Sequence, residues 1–209
     1  MKRLVWYILF VLVLLSSAIY SFHLRKQLSG ADACILMYDK KLALMHNSVQ
    51  NVINCMKLEA RSEGFRLSPD LVVEDVSGNI SALMDVFTEP TLVYRLTEMH
   101  CNSCIEHGIR LLKEECNNTK LPVMILCRYE SVRKVRAICN SYSIDFPIFN
   151  TPERFNIPLD DMSTSYFFIV DESFKCYGFQ TFIKEIPLIT ENYLKGICSS
   201  SMNLNFIGY

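Results

Sequence analysis

Cys101-Asn102-Ser103-Cys104 is the stretch of this chain best suited to chemistry. Two cysteines separated by two residues stand one turn apart on a helix, close enough to close a low-strain bridge. In dithiol–disulfide exchange a thiolate attacks a disulfide sulfur, a mixed disulfide forms, and the second thiol resolves it. The attacking species is the thiolate, and a helix N-terminus favours it, with free N–H groups and roughly half a positive charge. Cys101, at the turn, is the expected nucleophile, and Cys104, one turn in, the expected resolving thiol. The same residues admit a second chemistry. Met99-His100-Cys101-Asn102-Ser103-Cys104 matches an M-x-C-x-x-C loop, in which soft thiolates hold Cu(I) for metal transfer. A structural zinc site would need two more ligands, with His107 one turn after Cys104 a conceivable third. A further reading makes the bridge merely structural, in a non-catalytic binding or scaffold protein.

Charged neighbours would tune the pair. Arg95, six residues before Cys101, would favour the thiolate if it lay close; the alternative is that it points to solvent from its strand. His100 could stabilise a thiolate when protonated, or simply be an exposed turn residue. Glu98 and Glu106 flank the motif and would oppose ionisation if near.

The pair must be positioned by its elements. Thr91–Thr97 (TLVYRLT) is rich in β-branched and aromatic residues and reads as a central strand. A helix is expected over 102–117, with Ile105, Ile109, Leu112 and Cys116 on one face. Leu121–Cys127 reads as a buried strand, 130–142 as a helix marked by Val132, Val135, Cys139 and Tyr142, and 146–149 as a short extended piece. The runs 166–170 and 174–181 are strands joined by the tight Asp171-Glu172-Ser173 link, a hairpin signal. A last helix covers 188–197. Before them, 71–76 reads as a strand, followed by a turn at Ser77-Gly78-Asn79 and a short helix to Phe87. The order is β, α, β-α-β-α, then β-β-α, and the cysteine pair stands where the strand 91–97 hands over to the helix.

Over TLVYRLTEMHCNSCIEHGIRLL, with this element order and an N-terminal apolar segment, the chain resembles the thioredoxin-like superfamily, particularly the membrane-anchored TlpA-type thiol–disulfide oxidoreductases. The resemblance covers about residues 67–198. It implies an α/β thioredoxin-like fold, a central mixed sheet flanked by helices, and maps Cys101 and Cys104 onto the family's redox pair, with no organic cofactor or metal required. It implies protein thiols or disulfides as substrates and a membrane protein as electron donor. The chain departs from the family pattern at three positions: His100 stands where Trp is usual before the first Cys, Ser103 where Pro is frequent before the second, and Ser165 where a cis-Pro opens the strand facing the pair. A cis peptide before a non-proline residue costs about 2.5–4 kcal/mol, so a trans bond is expected at Ser165. A peroxiredoxin, related in fold, needs Thr three positions before its reactive Cys, and Glu98 stands there.

The N-terminus adds an address. After Met1-Lys2-Arg3, residues 4–22 carry no charge. As a helix they span about 28 Å, against a hydrocarbon core of about 30 Å. Trp6, Tyr7 and Tyr20 near the ends suit headgroups. A cleaved signal peptide, with Ser16-Ser17-Ala18 at its cleavage site, is the competing reading of 1–22. Both place the rest of the chain across the membrane, facing the periplasm or cell exterior, if the Lys2/Arg3 end stays inside. A juxtamembrane segment, 23–66, follows. Within it a helix over 32–63 carries Ile35, Tyr38, Leu42, Met45, Val49, Val52 and Met56 at 3,4 spacing, which reads either as a dimeric coiled-coil stalk or as an amphipathic helix on its own domain. A polar tail, 199–209, closes the chain. Twenty-one basic and 22 acidic residues leave a net charge of −1, which argues against an electrostatic nucleic-acid binder. Nine cysteines, an odd number, exclude complete pairing within one chain. Cys116, Cys127, Cys139, Cys176 and Cys198 read as free, small buried hydrophobes, whereas Cys34 and Cys55, on the juxtamembrane helix, could cross-link partner chains.

Overall fold

A computed structural model describes residues 2–117, 119–183 and 186–199. The expected polar tail lies, from residue 200 on, outside the described residues. The chain divides into two units, residues 1–51 and 52–209.

Helix α1 (Lys2–Ser62) begins in the first unit and ends in the second. It runs unbroken through Gly30 and into the stretch expected as a helix from residue 32. A glycine in a helix interior costs about 1 kcal/mol, which is a weakness and not a stop signal. By length and composition α1 is long and apolar enough to cross a membrane. Ile35, Tyr38, Leu42, Met45 and Val49 are all exposed on it.

The second unit is built on one seven-stranded sheet. Its strands are β1 (Val72–Asp75), β2 (Ile80–Ala82), β3 (Thr91–Thr97), β4 (Val123–Arg128), β5 (Ile148–Asn150), β6 (Tyr166–Val170) and β7 (Cys176–Thr181), in the spatial order β2-β1-β5-β4-β3-β6-β7. Strands β3, β4 and β5 are parallel neighbours; β6 runs antiparallel to β3, β7 to β6, and β1 to β5. The fold is thioredoxin-like, the mixed sheet flanked by helices that the resemblance implies. The strand after the motif's helix leads into another helix and not into a hairpin, unlike the small domains that carry the M-x-C-x-x-C copper loop.

Two connections in one direction, β3 to β4 and β4 to β5, carry α3 (Asn102–Cys116) and α4 (Val132–Tyr142) on the same face. Helix α5 (Pro187–Ser199) joins them there. The core on this side takes Leu92, Tyr94 and Leu96 from β3 and Ile105, Ile109 and Leu112 from α3. The opposite face takes Val93 with Leu83 of the short α2 (Leu83–Val86), Leu67, Phe155, Ile157 and Leu159. The alternation of β3 side chains between two buried faces follows from the period of two along a strand. Every residue of β3 is buried, and it lies inside the sheet between β4 and β6. The last turn of α1 and the residue after it belong to this unit: the Glu59 carboxylate accepts the Thr181 N–H, and the Glu63 carboxylate accepts those of Gly178 and Phe179.

Two short elements were not legible in the sequence. Strand β2 is three residues long, and a single 3-10 turn covers Pro158–Asp161. Cys116 and Cys198, read as free buried thiols, form a disulfide that ties the end of α3 to the end of α5. Their sequence separation of 82 hides a proximity that only the packing of the two helices creates.

Candidate active site

Strand β3 ends at Thr97, and a tight turn follows. The backbone N–H of His100 donates to the Thr97 carbonyl, and that of Met99 to Thr97 Oγ1. Cys101 then takes an extended conformation (φ −70°, ψ 142°) and caps α3. Its sulfur accepts the backbone N–H of Cys104 at 3.2 Å, using one of the donors a helix start leaves unpaired. The two sulfurs are bonded, with Cα atoms 5.3 Å apart. Cys101 is exposed, while Cys104 is only 5% exposed, beneath it on the core face of α3. An incoming group can therefore reach one sulfur of the bridge and not the other. Ser103 Oγ lies 3.5 Å from the Cys101 sulfur.

His100 is neither an exposed turn residue nor a cation beside the sulfurs. It is 5% exposed, and its Nδ1 accepts the Thr97 backbone N–H at 3.0 Å. Burial pushes its pKa down to about 4, with the nearby positive charge of Arg95 acting in the same direction. At neutral pH the ring is uncharged, with its proton on Nε2. Its role is to close the β3–α3 turn through the backbone.

Arg95 does not point to solvent. It is fully buried on the face of β3 opposite α3. Its Nε donates to Asp160 Oδ1 at 3.1 Å, Nη1 to the Cys127 carbonyl and Nη2 to the Glu153 carbonyl, and the guanidinium lies 3.8 Å over the Phe155 ring. Asp160 also accepts from Arg128 Nη1, the Tyr166 hydroxyl and the Phe155 backbone N–H. Burial pushes the Asp160 carboxyl up, but the two guanidiniums and the backbone donor outweigh it and hold the carboxyl below its ordinary value. The network fixes the segment 151–162 against the sheet. Glu98 is likewise engaged away from the sulfurs, accepting the Glu130 N–H at 2.7 Å and pairing with Lys134. His107 lies against Phe182 and beside Arg110, and no cluster of three metal-ligating side chains occurs among the described residues.

Ser165 is fully buried at the start of β6, and its peptide bonds are trans. Its carbonyl accepts the Phe182 N–H, which holds it to the end of β7. Its hydroxyl meets a residue that the sequence reading passed over. The Tyr94 hydroxyl lies 2.8 Å from Ser165 Oγ and 3.3 Å from the Cys104 carbonyl. Tyr94 stacks on Phe167 with centroids 4.4 Å apart. The one sequence signal that could have found it is its alternation with Arg95 on a central strand, which puts it on the α3 side.

No protein-family model matches the sequence, and no curated protein matches it. Among solved structures, PrxQ of Xylella fastidiosa is 12% identical, covering 67% of this chain and 97% of its own, with a TM-score of 0.49. Peroxidoxin BcpB of Mycobacterium tuberculosis is 14% identical, covering 65% and 97%, with a TM-score of 0.48. A secreted disulfide oxidoreductase of Mycobacterium tuberculosis homologous to E. coli DsbE is 12% identical, covering 63% and 96%, with a TM-score of 0.44.

Proposed function

We propose that this chain is a membrane-anchored thiol–disulfide oxidoreductase that exchanges disulfides with protein substrates through Cys101 and Cys104. The carrying observation is the asymmetry of the bridge: an exposed Cys101 that caps a helix, bonded to a buried Cys104 one turn further in. In the reducing direction, the Cys101 thiolate attacks a substrate disulfide and expels one substrate thiolate, which takes up a proton. Cys104 then loses its proton, attacks the Cys101 sulfur of the mixed disulfide and releases the second substrate thiolate, leaving the Cys101–Cys104 bridge. The free N–H groups of the first turn of α3 favour the attacking thiolate. Neither step draws on a metal or an organic cofactor.

The apolar N-terminal stretch of α1 supports anchoring, and the Cys116–Cys198 bridge fits a compartment in which disulfides persist, the periplasm or cell exterior. A TlpA-type arrangement, with another membrane protein supplying electrons, is the corresponding assignment. The exposed stripe Ile35, Tyr38, Leu42, Met45 and Val49 supports a homodimer through residues 32–63.

The full-length chain in detergent, incubated with a disulfide-bonded protein substrate, provides the test. The Cys104→Ser variant is expected to accumulate a mixed disulfide at Cys101 visible by mass, and Cys101→Ser to accumulate none. An unreactive bridge in the wild type leaves a scaffold and overturns the reading. For the dimer, sedimentation of the wild type and of Leu42→Glu/Val49→Glu decides: equal masses remove it.

A further inference from the structure

The Tyr94 hydroxyl is fully buried, and a buried hydroxyl is costly unless it is paired. Two acceptors stand within its reach, the Cys104 carbonyl in the first turn of α3 and Ser165 Oγ. Each hydroxyl carries one proton. The arrangement that uses both protons runs one way: the Ser165 hydroxyl donates to the phenolic oxygen, and the phenol donates to the Cys104 carbonyl. That carbonyl has two lone pairs, so it can serve its helix and accept the phenol as well. The approach depends on Gly108, one turn beyond Cys104. A Cβ at Gly108 would fall on the Tyr94 hydroxyl, so the phenol occupies space that any other residue would fill.

We propose that Tyr94 and Ser165 are positioning residues that set the redox equilibrium of the Cys101–Cys104 pair by pinning the Cys104 turn of α3 to β3 and to the segment opening β6. The pin is made while the two sulfurs are bonded. Reduction by a dithiol breaks the S–S bond, moves two electrons and two protons to Cys101 and Cys104, and leaves the reductant as a disulfide. The two sulfurs then move apart to non-bonded contact; the bridge and the phenol hold the same turn of α3, so each pre-organises that turn for the other. Loss of the phenol therefore favours the dithiol. Ser165 acts only through Tyr94, by orienting and polarising its hydroxyl.

The proposal rests on the redox reading of the pair, but its test does not require a protein substrate. Full-length wild type, Tyr94→Phe, Ser165→Ala and Tyr94→Phe/Ser165→Ala in detergent are equilibrated with mixtures of reduced and oxidised dithiothreitol and then alkylated. The Cys101–Cys104 and Cys116–Cys198 peptides are quantified separately by mass. Tyr94→Phe is expected to shift the Cys101–Cys104 equilibrium toward the dithiol by about three- to tenfold, the range set by one hydrogen bond; tenfold corresponds to about 30 mV for this two-electron couple. Ser165→Ala is expected to move it the same way by less, and to add nothing in the Tyr94→Phe background. The Cys116–Cys198 equilibrium stays in place. A Tyr94→Phe equilibrium within twofold of wild type, an equal shift of both bridges, or an additive double variant overturns the proposal. A wild type that titrates normally yet exchanges with no protein removes the function proposed above and leaves the pin intact.

Discussion

The Cys101 sulfur accepts the backbone N–H of Cys104 at 3.2 Å, so the residue presented for attack is also the cap of the helix carrying its partner. Chemistry and local stability are joined in one atom. Replacing a side-chain cap by alanine typically costs about 1 kcal/mol, whereas serine retains an acceptor. In a Cys104→Ser background, where no bridge can form between the two positions, Cys101→Ala is expected to be less stable than Cys101→Ser by about 1 kcal/mol. Urea denaturation of both proteins measures it, and equal midpoints would show that the cap contributes nothing.

His100 predicts an acid-sensitive step. Its folded pKa, about 4, lies below the ordinary histidine value of 6.5, because burial disfavours the charged ring. Between these two values the unfolded chain binds more protons than the folded one, so stability falls as pH drops from 6.5 toward 4. Well above pH 6.5 both states are neutral and the contribution is flat. The loss accumulated at pH 4 is of order 3 kcal/mol. Melting temperatures recorded from pH 7 to pH 4 for wild type and His100→Asn check this; the variant should show a shallower decline, and parallel curves would exclude His100 as the source.

Arg95 and Asp160 are both buried and paired, so removing one leaves the other uncompensated. Breaking such a pair from one side costs about 3–5 kcal/mol. Asp160→Asn is expected to lower stability by that order, as two guanidiniums then face one neutral amide. It should also release the segment 151–162, raising amide exchange at Phe155, whose N–H donates to Asp160. Protection at Phe155 equal to wild type would count against the network as that segment's anchor.

The Cys116–Cys198 bridge closes a loop of 82 residues in sequence and lies at the ends of α3 and α5, away from the capped turn. Removing a native disulfide typically costs about 2–5 kcal/mol. Cys116→Ser/Cys198→Ser is expected to lose stability in that range while leaving the dithiothreitol equilibrium of Cys101–Cys104 within twofold of wild type. Coupled loss of both would assign the second bridge a redox role.

What the sequence determined is local. The β-branched, aromatic run of β3 and the apolar period of α3 placed the cysteine pair at a strand-to-helix junction, and the spacing of two residues made the bridge geometrically natural. Strand and helix periods are written residue by residue, so these elements were legible with ends differing by a few residues. The uncharged N-terminal stretch was legible for the same reason. The tertiary structure decided everything that depends on which distant segments meet. Arg95 found Asp160 across 65 positions, Tyr94 found Ser165 across 71, and Cys116 found Cys198 across 82. It also turned His100 from a surface residue into a buried, neutral one, because a turn of four residues folded the ring back onto the Thr97 N–H. Burial and pairing are properties of the packed chain: a side chain's charge state and partners are set by the low-dielectric surroundings that other segments supply, and no spacing along a single segment encodes them.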